Sequence, residues 1–304
     1  AAVMKKCREM KRRFSAWKEE FIMEKSIKRY MPIFVLPTFF AFILGFIVPF
    51  IMGIWLSFCK FTTVTDAKFV GFSNYIEALK DTAFRHSFWY TVLFAIASLL
   101  IINIIAFALA MALTKEMHGT NVFRTVFFMP NLIGGIVLGY IWQLIFNGVL
   151  SRYGTALALN EWYGFWGLII LVSWQQIGYM MIIYIAGLQS IPGDVIEAAE
   201  IDGAAKWDIL WKIRVPMVMS SITICVFLTL TNSFKLFDQN LALTGGDPNH
   251  ATEMLALNIY QTFYARAGMQ WKGYGQAKAV IFCVLVIIIS LVQLKATRSK
   301  EVQQ

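Results

Sequence analysis

The chain has 304 residues, of which 58% are hydrophobic and only 15% charged, with a mean hydropathy of +0.62. A soluble domain carries about 45–50% apolar and about 25% charged residues, so soluble, disordered, fibrous and disulfide-scaffold classes are excluded and an all-α, polytopic membrane protein is expected. The net charge of +9 does not point to nucleic acid, because the 27 Lys and Arg cluster beside apolar runs, where they set topology and meet anionic lipid.

Residues 1–30 form a basic segment with ten Lys and Arg. It is not a secretory signal, because the apolar run after it is longer than the usual h-region of about 7–15 residues. A surface helix with Trp17, Phe21 and Ile22 on one side is expected there. A helix needs about 20 apolar residues to cross a bilayer. Five stretches without charge qualify as spans: Met31–Phe58, Phe88–Leu113, Thr125–Asn147, Tyr163–Leu188 and Met217–Phe234. The sixth, Ala279–Leu294, is shorter, and Lys278 and Lys295 at its ends are expected to snorkel to the two interfaces. Pro37, Pro49 and Pro130 predict kinks. With the N-terminus inside, the inner loops and tail hold 18 of the 27 basic residues, so both termini face the cytoplasm. The expected layout is a 1–30 segment, a six-helix permease domain over 31–294 and a cytoplasmic tail over 295–304. Cys7, Cys59, Cys225 and Cys283 have no paired spacing and predict no disulfide.

No ionisable residue falls inside the spans as drawn, whereas an ion-coupled carrier keeps one there. No phosphate-binding loop, channel filter or metal-ligating motif occurs, and His86, His118 and His250 stand alone. A membrane enzyme would need clustered His, Asp or Glu. The chain is therefore expected to have no catalytic residue and no metal site, and to move something with energy supplied by a partner.

The loop at 189–216 differs from the others. Pro192 ends a membrane helix. Asp194 can cap a new one, with Glu197 three residues on as in a capping box. Ala198 and Ala199 leave a smooth surface, and Gly203 allows a sharp turn. Ile209, Leu210 and Ile213 give a second short helix one apolar face, until Pro216 opens the next span. Two short helices projecting at an angle suit a socket on another protein.

Glu197-Ala198-Ala199, Asp202-Gly203-Ala204 and Ile213-x-x-Pro216 resemble the EAA loop of the inner-membrane permease subunits of binding-protein-dependent ABC importers. Trp174-Gln-Gln-Ile-Gly-Tyr179, Ala186-Gly-Leu-Gln-Ser-Ile-Pro192, Phe69-Val-Gly-Phe-Ser-Asn-Tyr75 and Leu243-Thr-Gly-Gly-Asp-Pro248 resemble the carbohydrate-importing branch. Val215 stands where that family often has Leu. The resemblance covers nearly the whole chain from residue 31. It implies a prokaryotic cell-membrane complex with a second permease of different sequence, two cytoplasmic ATPases and an extracytoplasmic solute-binding protein. ATP and magnesium would sit on the ATPases, with no cofactor in this chain. The implied coupling residues are Asp194, Glu197, Ala198, Ala199, Asp202, Gly203 and Pro216.

A neutral sugar needs hydrogen-bonding groups at mid-membrane. Gln175, Gln176 and Tyr179 lie at helical spacing on the fourth span, and Thr229, Asn232 and Ser233 on the fifth, with Lys235 and Phe237 just beyond. These six are candidate solute contacts; the same groups can also bond helix to helix, and both readings stand at this point. Asn131, Gln143 and Asn147 fit bundle bonding or a gate, and Gly135-x-x-x-Gly139 a packing surface. Lys235 leaves a glycerol-phosphate-like cargo open beside the favoured oligosaccharide. Segment 236–275 is expected to be the largest exposed outer loop, with a turn at Gly245-Gly246-Asp247-Pro248 and either a binding-protein contact or a simple connector's role.

Overall fold

A computed structural model describes residues 30–114, 119–265 and 268–298, with the backbone alone at 269, 270 and 298. The expected surface helix with Trp17, Phe21 and Ile22 lies outside these residues, as does most of the expected tail. The chain divides into a unit Ala1–Trp55 and a unit Leu56–Gln304.

In the first unit, helix α1 (Tyr30–Leu56) runs unbroken through both prolines. A π-turn occupies Ile43–Ile47. Pro49 has no N–H for the carbonyl four residues back and its ring crowds that position, which accounts for the widened turn just before it. Phe42, Phe46 and Phe50 stack in sequence at 5.1 and 6.0 Å.

The second unit opens with a small antiparallel ribbon, β1 (Cys59–Lys60) on β2 (Lys68–Phe69), then helices α2 (Ser73–Lys80) and α3 (Thr82–Leu113). Asp81 caps α3 by accepting the Ala83 N–H at 2.9 Å. Helix α6 (Glu161–Gln189) is the central element: 67% of its apolar window is buried, against 28% for α3 and 17% for the last helix. It packs on α3 through Phe94, Ile102, Ala106 and Ala110, facing Leu168, Leu171, Val172, Met181 and Tyr184. Lipid tails are as apolar as these side chains, so close fit rather than water exclusion holds the helices together. Gly178 carries that fit to its limit, since a methyl group there would overlap the Phe127 carbonyl.

One predicted span is broken, and another is bent away from the loop helix that precedes it. The third becomes α4 (Thr120–Phe128), a 3-10 turn at Met129–Leu132 and α5 (Gly135–Leu150), with the halves bent by 99°. Pro130 tightens the turn, and Ile133 and Gly134 then run extended (ψ 133° and 140°). The freed Ile133 carbonyl accepts from Gln175 Nε2 at 3.1 Å, as membrane-depth backbone requires. The fifth forms almost as drawn, as α9 (Met219–Phe234), and the loop helix before it, α8 (Lys206–Met217), meets it at a 71° bend at Val218. Pro216 therefore lies within the short helix before the bend and does not open the span. Among the described residues, four helices are long and apolar enough to cross a membrane, and up to six spans result if each bent pair counts as one.

The sixth span corrects the expectation for Lys278. The helix α12 (Met269–Arg298) starts ten residues earlier than the apolar run, which puts Lys278 inside it, fully buried. Its ammonium does not snorkel; it donates to Asp81 Oδ2 at 2.7 Å, Asn258 Oδ1 at 2.9 Å and Thr262 Oγ1 at 3.1 Å. It also lies over the rings of Tyr274 and Phe84, at 4.6 and 5.2 Å. The spans as drawn missed this charge because they stopped at it.

Segment 236–275 is mostly folded into the bundle rather than exposed. It holds α10 (Asp238–Leu243), the expected turn with Gly245 and Gly246 at φ +61° and +97°, and α11 (Leu255–Tyr260). Ala242, Leu243, Met254, Leu255 and Leu257 are buried. Asn240 stitches it shut, donating to Thr252 O at 2.8 Å and accepting from Met254 N–H at 3.0 Å. The Gly135-x-x-x-Gly139 surface receives α10: a methyl group on Gly139 would stand 2.5 Å from Ala242 Cβ.

Candidate functional site

Two features can do work: the projecting loop and a polar cavity. In the loop, α7 (Gly193–Ile201) starts from Pro192, whose extended ψ of 134° sets the helix entry. No side chain caps it, so the expected capping box is absent. The helix begins a residue before Asp194, which leaves that carboxylate in the first turn. There it meets the positive end of the helix dipole. The far end closes as a Schellman turn, with Gly203 N–H donating to Glu200 O at 3.1 Å and Ala204 N–H to Ala199 O at 3.0 Å. Gly203 sits at φ +79°, where a side chain costs roughly 1–2 kcal/mol.

Asp194, Glu197, Ala198, Asp202 and Gly203 are exposed, and Ala199 and Pro216 half-buried. The following helix α8 contains a π-turn at Ile209–Arg214. It buries Ile209, half-buries Leu210 and Ile213, and presents Trp207 and Trp211 outward, edge to face at 5.7 Å. Trp207 is 69% exposed and Ile201 86%, so the loop carries an apolar surface as well as charges. The i, i+4 spacing of Trp207 and Trp211, off the face of Ile209, Leu210 and Ile213, is the sequence signal for this outward pair.

The cavity holds about 330 Å³. Asn131 from the broken third span, Gln175 and Gln176 from α6, and Asn232 from α9 line it together with Lys235, Asp238 and Gln239. Gln175 is committed to the bundle: besides the Ile133 carbonyl, its Oε1 accepts from Gln239 Nε2 at 2.8 Å. Gln176 lines the cavity, and its Oε1 is buried with no hydrogen-bond partner among the described residues. Tyr179, Thr229 and Ser233 lie outside this lining. The Tyr179 ring tilts against Phe128 at 6.4 Å. Thr229 is fully buried and accepts from Asn103 Nδ2 at 3.3 Å, while Asn103 Oδ1 accepts from Tyr184 OH at 2.7 Å, a chain that ties α3, α6 and α9. Ser233 is fully buried, and its Oγ has no partner among the described residues. Gln143 donates to Leu243 O at 3.0 Å and Asn147 accepts from Leu157 N–H at 3.0 Å, both bundle bonds. Asp238 and Gln239 escaped the sequence analysis because they follow the span, in a segment read as loop.

Asp81, just outside α3, is held by the Lys278 cluster. Burial raises its pKa, but hydrogen bonds from Lys278 and Tyr274, the Lys278 charge and the Ala83 N–H outweigh it and bring the carboxyl down to about 2. The network continues outward, where buried Glu253 accepts from Asn258 Nδ2 at 3.3 Å and faces His250 Nδ1 at 3.3 Å.

Residues 104–296 match the family model described as "Binding-protein-dependent transport system inner membrane component". The chain is 42% identical over 279 residues to the probable starch degradation products transport system permease protein AmyD of Thermoanaerobacterium thermosulfurigenes, covering 89% of this chain and 94% of that one. It is 31% identical over 282 residues to the multiple sugar-binding transport system permease protein MsmF of Streptococcus mutans, covering 90% and 94%. A solved chain of a bacterial ABC transporter involved in the import of the acidic polysaccharide alginate shares the fold at a TM-score of 0.75 and 19% identity, over 91% of this chain and 98% of that one.

Proposed function

Because the chain belongs to the inner membrane components of binding-protein-dependent transport systems, the permeases of ABC importers, we propose that it carries a neutral sugar or oligosaccharide. The observation that carries this reading is the polar cavity, where Gln176, Asn232 and Asn131 offer uncharged hydrogen-bonding groups. Lys235 and Asp238 line the same cavity, and a glycerol-phosphate-like cargo is the second reading, favoured by Lys235 and by relatives named as sn-glycerol-3-phosphate permeases. The relatives named for starch degradation products and multiple sugars agree with a neutral cargo.

In this reading an extracytoplasmic binding protein delivers the sugar to two permease subunits, this one and a chain of different sequence. Two cytoplasmic ATPases bind and hydrolyse ATP with magnesium, and this chain contributes no catalytic group. The 31–294 bundle spans the membrane with the 1–30 segment and the 295–304 tail on the cytoplasmic side. Helix α7 docks into a groove on one ATPase through Ala198, Ala199, Val195 and Ile201, with Asp194, Glu197 and Asp202 making polar contacts at its rim. ATP-driven closure moves this lever. The motion passes through the bend at Val218 into α9, which carries Asn232 to the cavity wall, so the switch is one packing of rigid elements exchanged for another.

The test is co-purification with the ATPase subunits, followed by ATPase and uptake assays with and without binding protein and maltodextrins. Sugar-stimulated hydrolysis and uptake are expected. Solute movement by a preparation lacking any nucleotide-hydrolysing subunit would overturn the proposal.

A further inference from the structure

A second cavity of about 370 Å³ shares the Phe237 ring with the polar one. Tyr260, Phe263, Tyr264 and Gln276 line it. Three rings follow one another across it: Tyr264 to Tyr260 at 5.0 Å between centroids, and Tyr260 to Phe237 at 5.1 Å. Exposure falls along the series, from 70% at Tyr264 to 41% at Tyr260, and Phe237 is half-buried. The rings therefore lead from open surface to the wall of the polar cavity.

The chain builds this row deliberately. Tyr260 ends α11 and Tyr264 lies four residues on, in a π-turn over Gln261–Ala265, which brings both rings to one side. Buried Leu255 and Leu257 anchor that helix in the bundle. Gly275 lets α12 close against it, for a methyl group there would stand 3.1 Å from Phe263 Cβ. The ring row thus rests on a fixed support.

A pyranose has C–H groups on its faces and hydroxyls at its edge. Aromatic faces meet the first without fixing direction, and a few polar groups satisfy the second. An interfacial aromatic belt would explain exposed tyrosines alone. It does not explain a ring shared with a polar cavity, nor Gln276 among the lining residues. We propose that Tyr264, Tyr260 and Phe237 form a stacking track on which successive sugar units of an oligosaccharide rest while its leading unit occupies the polar cavity. This deepens the sugar reading and rests on it.

The full importer, reconstituted in proteoliposomes with its binding protein, is assayed for uptake of labelled maltose and maltohexaose. The variants are the Tyr260→Ala/Tyr264→Ala pair and the Tyr260→Phe/Tyr264→Phe pair. If each lost ring removes one aromatic contact, the alanine pair raises KM for maltohexaose by roughly five- to 150-fold, leaves maltose within about two-fold, and the phenylalanine pair restores both. Wild-type uptake of both sugars with no length-dependent change in the alanine pair overturns the track and leaves the sugar reading standing. An equal loss for both sugars assigns the rings to architecture and also overturns it. Wild-type uptake of neither sugar sinks the underlying reading and the track with it.

Discussion

Replacing Lys278 by Met keeps the side chain's length and removes its charge from a site that is fully buried. Asp81 then faces the bundle with only the Tyr274 hydroxyl, at 2.6 Å, and its helix N-terminus as partners, while Asn258 and Thr262 lose a donor. Breaking a buried ion pair from one side costs about 3–5 kcal/mol. The carboxyl's drop from 3.8 to about 2 accounts for roughly 2 kcal/mol of that at most, and less once solvent at the edge of Asp81 is counted; the orphaned amide and hydroxyl supply the rest. At about 2–4 °C per kcal/mol, the melting temperature of the detergent-solubilised complex should fall by roughly 6–20 °C. The double variant Asp81→Asn/Lys278→Met should recover most of it. The sign with pH follows from the lowered pKa: the Asp81 contribution is complete above the unfolded value near 3.8 and is lost as pH falls through about 2. The gap between wild type and Lys278→Met should stay constant from pH 8 to 5 and narrow below about 4. Fluorescence-detected unfolding measures all three. A single variant melting within about 1 °C of wild type, or a double variant no better than the single, would refute the assignment of Lys278 as a clamp.

Gly203→Leu should abolish sugar uptake while the complex still assembles, because the side chain strains a residue at φ +79° and redirects the lever; normal uptake would contradict the assignment. Trp207→Ala/Trp211→Ala should weaken co-purification of the ATPase and shift the melting temperature little, since both rings are more than half exposed. Asn103→Ala should lower stability by about 0.6–2 kcal/mol, read as a melting shift, because it removes the link between Tyr184 and Thr229. Gln176→Ala should instead raise the uptake KM by more than its loss of stability explains, and the two variants together separate bundle bonding from solute contact.

The spans and the projecting loop were legible because each is local: an apolar run, a proline, a glycine at a turn. The Gly135-x-x-x-Gly139 surface was legible for the same reason. Partners distant in sequence were not. Lys278 reads as a span boundary until Asp81, 197 residues away, is brought beside it. Pro130 signals a kink, but a 99° break also needs the extended Ile133 and Gly134 and the Gln175 amide that receives the freed carbonyl. The capping box failed on two residues of register, because Pro192 rather than Asp194 stands at the N-cap. Segment 236–275 looked like a loop since its turns are polar, yet its buried leucines and the Asn240 bonds draw it into the bundle. For the cavity, spacing identified Gln176 and Asn232, but identical polarity placed Thr229 in a helix-to-helix bond.

The contact between Gly178 and the Phe127 carbonyl changes how a mutational survey of this protein must be read. An alanine scan treats alanine as the deletion of a side chain, yet at residue 178 alanine is an insertion, and there the backbone of one helix would be pushed off another. Loss of uptake at such a position reports misassembly rather than chemistry. A map of the transport path drawn from activity alone would place its brightest mark on a residue that no sugar touches, unless each variant is first normalised to the amount of intact complex in the membrane.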